Sequence, residues 1–258
     1  MGQRVQGKVL PIHVGRRIVY EILAHARHVP TVTVTREMTI ANLATVRSQF
    51  AKPVSWVALF AKSYGIAAQT IAELRHNWVR YPYARIYEHP ISECAVIVER
   101  EWQGSLTVLF GKIHGPENMP LTTFDEHIHR FRDAPVWEIT PFRQLLRLAR
   151  MPRLMRWFGF WSSLNWSGYK RCKRFGTFTI SSLGSLGVEL RNPLVPLTGY
   201  LTFGPISDEG RVTVSLTFDH RVMDGRHAAR ALQEIERSLN TEIMTELQRL
   251  IEIKHNML

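Results

Sequence analysis

The chain has little of what marks a disulfide scaffold, a zinc module or a membrane span. Only two of its 258 residues are cysteines, Cys94 and Cys172. That excludes a disulfide framework and a cysteine-rich metal site, and it points to a reducing compartment. No metal is expected. The most apolar stretch, Val54 to Ala61, ends at Lys62 and is too short to cross a bilayer. The opening Met-Gly-Gln-Arg-Val-Gln has no apolar run of signal-peptide length and no Ser or Thr where a myristoylation signal places one. No repeat, low-complexity tract or Gly/Ser-rich linker divides the sequence. The expectation is one domain over residues 1–258, in the cytoplasm. A hydrophobic content of 45% against 21% charged residues excludes intrinsic disorder.

Acid is missing locally. From Ile139 to Val188 there is no Asp or Glu, while nine basic residues fall there: Arg143, Arg147, Arg150, Arg153, Arg156, Lys170, Arg171, Lys173 and Arg174. The formal charge is +11, yet outside this window 24 basic residues face 22 acidic ones. The protein is nearly neutral with one cationic segment, which raises the local concentration of anionic partners. No nucleic-acid motif accompanies it, so no nucleic acid is expected as a partner.

Hydrophobic periodicity predicts alternating elements. His13 to Ala26, Thr39 to Phe50, Val54 to Leu74, Asp125 to Phe131 and Arg226 to Leu239 read as helices. Thr31 to Thr35, Ala95 to Val98, Leu106 to Phe110 and Phe178 to Ile180 read as strands. In Arg211 to Phe218, Val212, Val214, Leu216 and Phe218 share one face and Thr213, Ser215 and Thr217 the other. This mixture predicts an α/β or α+β sheet domain.

The most informative stretch is Asp219-His220-Arg221-Val222-Met223-Asp224-Gly225, a His and an Asp-Gly between a strand and a helix. Five specified residues in this pattern arise by chance in a chain of this length below roughly one time in 10⁴. The stretch resembles the signature of the dihydrolipoamide acyltransferases, the catalytic cores of 2-oxo acid dehydrogenase complexes. The shorter His-x-x-x-Asp-Gly is shared with chloramphenicol acetyltransferase. Phe175-Gly-Thr-Phe-Thr-Ile-Ser-Ser-Leu-Gly184 resembles a second segment of that family, and Gly15-Arg-Arg-Ile18 followed by Pro30-Thr-Val-Thr33 resembles its opening. The resemblance runs from about residue 13 to 240.

This resemblance implies a chloramphenicol acetyltransferase-like two-layer α/β sandwich with a mixed sheet, assembled as a homotrimer. It implies a coenzyme A thioester as co-substrate and an acyl acceptor carrying a thiol, hydroxyl or amine. Neutral imidazole takes a proton near neutral pH, so His220 is the candidate general base. The resemblance places an oxyanion donor at Ser181, facing His220 of a neighbouring subunit. It also implies a mainly structural Asp224, paired with Arg16 or Arg17 of the first helix, and a Gly225 that eases the turn into the last helix. The alternative is a catalytically silent trimeric binding or assembly module.

Several features depart from the family. No lipoyl domain with its modifiable lysine is expected on this chain, so a free-standing acyltransferase is favoured over one served by a lipoyl arm in trans. Ser181 and His220 stand only 39 residues apart. Residues 141–175 form a basic, aromatic insertion with eight aromatics between Phe142 and Phe175. Arg143, Arg147 and Arg150 share one helical face; Leu145, Leu148 and Ala149 lie on another. Such a segment suits an anionic membrane surface or an anionic apolar ligand, with a core-packed helix and a solvated basic face as the plainer reading. His127 and His129 are expected to diverge into solvent. Cys94 is expected in the core. Cys172, among Lys and Arg, is expected to have a lowered thiol pKa, but with no partner base it is a weak nucleophile candidate.

Overall fold

A computed structural model describes residues 7–255. In chain order the elements are α1 (Val14–Ala26), β1 (Thr31–Thr39), α2 (Ala41–Ser48), α3 (Trp56–Thr70), β2 (His76–Val79), β3 (Arg85–Glu88), β4 (Glu93–Trp102), β5 (Ser105–His114), α4 (Leu121–Asp133), α5 (Thr140–Arg150), α6 (Arg153–Asn165), α7 (Gly168–Phe175), β6 (Phe178–Ser182), β7 (Gly199–Phe203), β8 (Arg211–Asp219), α8 (Gly225–Ser238) and α9 (Met244–His255). Six strands form one sheet in the order β1-β8-β7-β6-β4-β5, and β2 pairs with β3 alone. The β4–β6 and β6–β7 pairs are parallel and the other pairs antiparallel, so the sheet is mixed.

The alternation read in Arg211 to Phe218 organises the sheet. In register across β6, β7, β8 and β1, Ile180, Leu201, Leu216 and Val34 form an apolar row. In the neighbouring row Ser181, Thr202, Ser215 and Thr35 carry hydroxyls to the opposite face. The apolar face receives α3, α4 and α8. Phe60 of α3 stacks on Phe203 at 4.3 Å and Tyr64 on Phe178 at 3.8 Å between ring centroids. Offset stacking of this kind adds about 1 kcal/mol per pair beyond area burial. Gly199 is required there, because a Cβ on it would lie 2.2 Å from Tyr64 Oη. Hydroxyls on the second face satisfy one another, with Thr33–Thr217 at 2.7 Å and Thr35–Ser215 at 2.9 Å. Over β4 and β5 that face is covered instead by α1, whose Val19, Ile22 and Leu23 lie over Ala95, Ile97 and Phe110.

The α3 helix is nearly surrounded by protein. Ser55 caps it by accepting from Ala58 N–H, and Asp125 Oδ1 accepts from Ser55 N–H at 2.9 Å. Its buried Lys62 pairs with Glu246 of α9. The basic segment 141–175 is three helices, α5 to α7. Phe142, Leu145, Leu146 and Ala149 of α5 are buried while Arg143, Arg147 and Arg150 are exposed, as the periodicity predicts. Two arginines of the segment are internal, however. Arg156 donates to Glu21 of α1 at 2.7 Å with both side chains buried, and Arg171 donates to the carbonyls of Trp78 and Pro196. The plainer expectation of a core-packed helix with a solvated basic face thus holds for α5, while Arg156 and Arg171 anchor the rest of the insertion into the fold by guanidinium contacts.

Candidate active site

β8 ends at Asp219, which is fully buried. Its carboxylate accepts from Arg221 three times: the backbone N–H at 3.0 Å, Nε at 2.9 Å and Nη2 at 2.7 Å. Its carbonyl accepts from the N–H groups of Val222 and Met223, and its own N–H donates to Thr198. A buried carboxylate with a bidentate guanidinium is among the stronger polar contacts available, so the turn after β8 is rigid. His220 rides on that turn. Its N–H donates to Pro30 O at 2.9 Å, joining the turn to the start of β1. The imidazole lies 5.6 Å from the Phe218 ring and keeps 45% of its side-chain area exposed. Asp224 Oδ1 stands 3.5 Å from His220 Nδ1. Among the described residues Nε2 makes no hydrogen bond. A carboxylate on the Nδ1 side favours the tautomer that leaves the Nε2 lone pair free.

The expected pairing of Asp224 with Arg16 or Arg17 is not formed: among the described residues neither arginine makes an ion pair with it. The reason is the course of α1. Its C-terminal end leads to Pro30 beside His220, and nine residues of helix carry Arg17 about 14 Å away from that end. Asp224 instead caps α8, and His227 Nδ1 reaches back to the Asp224 N–H at 3.4 Å. The expectation for Gly225 fails as well. A Cβ there would meet nothing within 4 Å and its φ is not positive, so no steric rule within this chain demands glycine.

Ser181 lies on the hydroxyl face of β6, half-buried. Its neighbour on that face is Tyr200, whose phenol burial pushes up to about 12, partly countered by a hydrogen bond with the Ser181 side chain. Tyr200 is thus a neutral, buried hydroxyl beside Ser181, a neighbour that no sequence pattern announced. Ser182, one residue on, is spent locally. It donates to Phe203 O at 2.8 Å and accepts from Gly184 N–H at 3.0 Å. Within one chain Ser181 and His220 do not meet. Ser181 is in register with Thr202 and then Ser215. Two strand spacings across and five residues along give a separation of about 19 Å.

A cavity of about 610 Å³ is walled by the end of α1, by Trp78 of β2 and the following Arg80, by α6 and by Arg221; His220 is not in its lining. The cysteines lie elsewhere. Burial pushes the Cys172 thiol up to about 12 despite the opposing charge of Arg171, which corrects the expectation of a lowered value. Cys94 is in the core, also raised by burial. His129 is exposed and His127 is half-buried against Phe131, so only the first is solvated as expected.

Residues 173–247 match the family model described as 2-oxoacid dehydrogenases acyltransferase (catalytic domain). No curated protein matches the chain. Among solved structures it is similar to a probable dihydrolipoamide acetyltransferase from Listeria monocytogenes, at 19% identity and TM-score 0.62 over 90% of this chain and 94% of that one. It is similar to a truncated catalytic core of the 2-oxoacid dehydrogenase multienzyme complex from Thermoplasma acidophilum, at 17% identity and TM-score 0.65 over 91% and 99%. It is likewise similar to the dihydrolipoamide acetyltransferase of Azotobacter vinelandii, at 17% identity and TM-score 0.65 over 95% and 96%. The catalytic mechanism of that protein was probed at a serine, a histidine and an asparagine four positions after the histidine. The chain therefore has the mixed-sheet α/β fold of the dihydrolipoamide acyltransferase catalytic cores and carries, over residues 173–247, the sequence pattern of their catalytic domain.

Proposed function

We propose that this protein is an acyltransferase that moves an acyl group from a coenzyme A thioester directly to a thiol, hydroxyl or amine acceptor, with His220 as general base. The carrying observation is the turn after β8. It holds one half-exposed imidazole by its backbone, sets a carboxylate beside Nδ1 and leaves Nε2 without a partner among the described residues. In the reaction the acceptor X–H loses its proton to Nε2 as the X–C bond forms at the thioester carbonyl. The tetrahedral intermediate then collapses, the C–S bond breaks, and Nε2 returns the proton to the departing sulfur. Asp224 is a positioning residue in this scheme and favours the Nδ1–H tautomer.

The oxyanion needs a fixed donor about 3 Å away. Ser181 of the same chain is about 19 Å off by the strand spacings. The reading therefore requires a second copy to bring its Ser181 to this His220, which the homotrimer supplies.

The test is release of free coenzyme A from a panel of acyl-CoA donors mixed with dihydrolipoamide and small thiols. His220→Ala is expected to lower turnover by roughly 10²–10⁴ with the trimer intact. Wild-type turnover in that variant ends the mechanism, and silence of the wild type across the whole panel favours the assembly-module reading. For residues 141–175 we keep a peripheral, cytoplasmic-face membrane role as a separate proposal. It is supported by Leu154, Met155 and Phe158 of α6, exposed near Arg153. No helix among the described residues is long and apolar enough to cross a membrane. Retention on anionic vesicles at low salt supports surface binding, and its absence removes it.

A further inference from the structure

Ser181 stands where one face of the sheet changes character. The register of β4 and β6 pairs Ala95 with Thr179 and Val96 with Ile180, which brings Ile97 beside Ser181 on the same face. On the other side of Ser181, Thr202, Ser215 and Thr35 continue the row of hydroxyls to β1. On the Ile97 side the face turns apolar, and α1 covers it without filling the space. A cavity of about 200 Å³ remains between Ile22 of α1, the strand residues Ala95, Ile97 and Phe110, and the loop at Leu194. Close-packed proteins hold few voids larger than a water molecule, so this opening is large for a packing defect.

Its composition selects the occupant. Among the described residues no charged side chain lines it, and the polar side chains on its wall are those of Thr179 and Tyr200. Both border Ser181. Thr179 lies two residues before it on the same face, and Tyr200 hydrogen-bonds with its side chain. Ser181 itself is not in the lining; it stands at the polar margin, about 4.8 Å from Ile97 by the strand spacing. The wall has no partner for a phosphate or a carboxylate, so the nucleotide part of a coenzyme A thioester does not belong there. The volume sets a length. An apolar cavity of about 150 Å³ holds a six-carbon ring, so one of about 200 Å³ suits roughly eight carbons.

We propose that this cavity takes the chain of the transferred acyl group, and that the preferred donors carry an apolar chain of roughly six to eight carbons. The inference rests on the acyltransferase reading, with Ser181 at the oxyanion. A carbonyl carbon held near Ser181 Oγ has the thioester sulfur on one side and the acyl chain on the other. The chain then meets an apolar wall one strand spacing away. Ile97 and Phe110 floor the cavity, Ile22 roofs it, and Ala95 lies along its floor. The cavity and Ser181 belong to one copy and His220 to the next, so chain length is selected by one subunit and the proton is taken by its neighbour.

The experiment measures kcat/KM of the full chain for straight-chain acyl-CoA donors from acetyl to dodecanoyl, with dihydrolipoamide and small thiols as acceptors. Each methylene that enters the cavity is worth about fourfold. The rate is therefore expected to climb from acetyl to hexanoyl or octanoyl and to climb no further at dodecanoyl. Two variants read the cavity itself. Ala95→Leu extends a side chain into it, and Leu194→Asp sets a carboxylate on its rim at an exposed position, where the fold is not at stake. Each is expected to lower the octanoyl-to-acetyl ratio of kcat/KM at least about tenfold. Transfer that is equal across chain lengths or best with acetyl overturns the chain site and leaves the acyltransferase reading standing. So does an unchanged ratio in Leu194→Asp. Silence with every donor removes that reading, and the chain site with it.

Discussion

If Ser181 and His220 act together only across a subunit boundary, two dead variants must rescue each other. Ser181→Ala removes the oxyanion donor and is expected to cost roughly 10²–10³ in turnover; His220→Ala removes the base and costs roughly 10²–10⁴. Mixed after unfolding and refolded together, the two chains assemble at random. Each shared site takes its serine from one chain and its histidine from the next. With equal amounts, both are intact in about one site in four, since each neighbour is the right variant half the time in a symmetric ring. The mixture is expected to recover about a quarter of wild-type turnover, more than tenfold above either parent. The structural basis is the separation of about 19 Å between the two residues in one chain, set by the strand spacing and the register of β6, β7 and β8. Coenzyme A release by parents and mixture under matched conditions is the assay. Recovery no greater than the parents' average, with trimers verified by sedimentation, refutes the shared site.

Three further outcomes follow from the geometry. Asp219→Asn leaves Arg221 beside a neutral amide in a fully buried position; it is expected to lower stability by about 3 kcal/mol, read from urea unfolding, and a loss below about 1 kcal/mol would sink the account of the turn. Gly225→Ala has open space for its methyl within the chain and is expected to raise the thermal midpoint, by about 0.5–1 kcal/mol of stability. If transfer falls while the midpoint rises, that space is used by a neighbour or a substrate. Native Cys172 is expected to resist iodoacetamide at pH 8 while the denatured chain reacts, because burial holds its thiol at about 12. The sign follows from proton counts. Between the ordinary thiol value of 9.0 and about 12 the folded chain keeps a proton that the unfolded chain has lost, so stability falls as pH rises through that window. Rapid labelling of the native protein contradicts the burial of α7.

The local order was legible because it depends on spacing. Alternation in Arg211 to Phe218 announced one apolar and one hydroxyl face, and the structure has both. Thr31–Thr35 and Phe178–Ile180 are the cores of β1 and β6. β7 and the β2–β3 hairpin were not read. Gly199–Phe203 is five residues buried on both faces, and so short a run lacks a period that separates strand from loop. The three helices of residues 141–175 showed their arginine face, but not that Arg156 and Arg171 turn inward. That inward turn depends on Glu21 and on the carbonyls of Trp78 and Pro196, partners far away in the sequence.

The motif residues divide in the same way. The sequence by itself determined that His220 follows a strand end and precedes a helix, since strand period, turn residues and helix period lie within a few residues of one another. Only the tertiary structure decided what surrounds it. Asp219 is buried against Arg221, Asp224 turns to His220 rather than to Arg16 or Arg17, and Ser181 sits two strands away. The physical reason is range. Periodicity and capping act over a turn or two of chain, whereas burial, ion pairing and strand order are set by contacts between segments up to 200 residues apart.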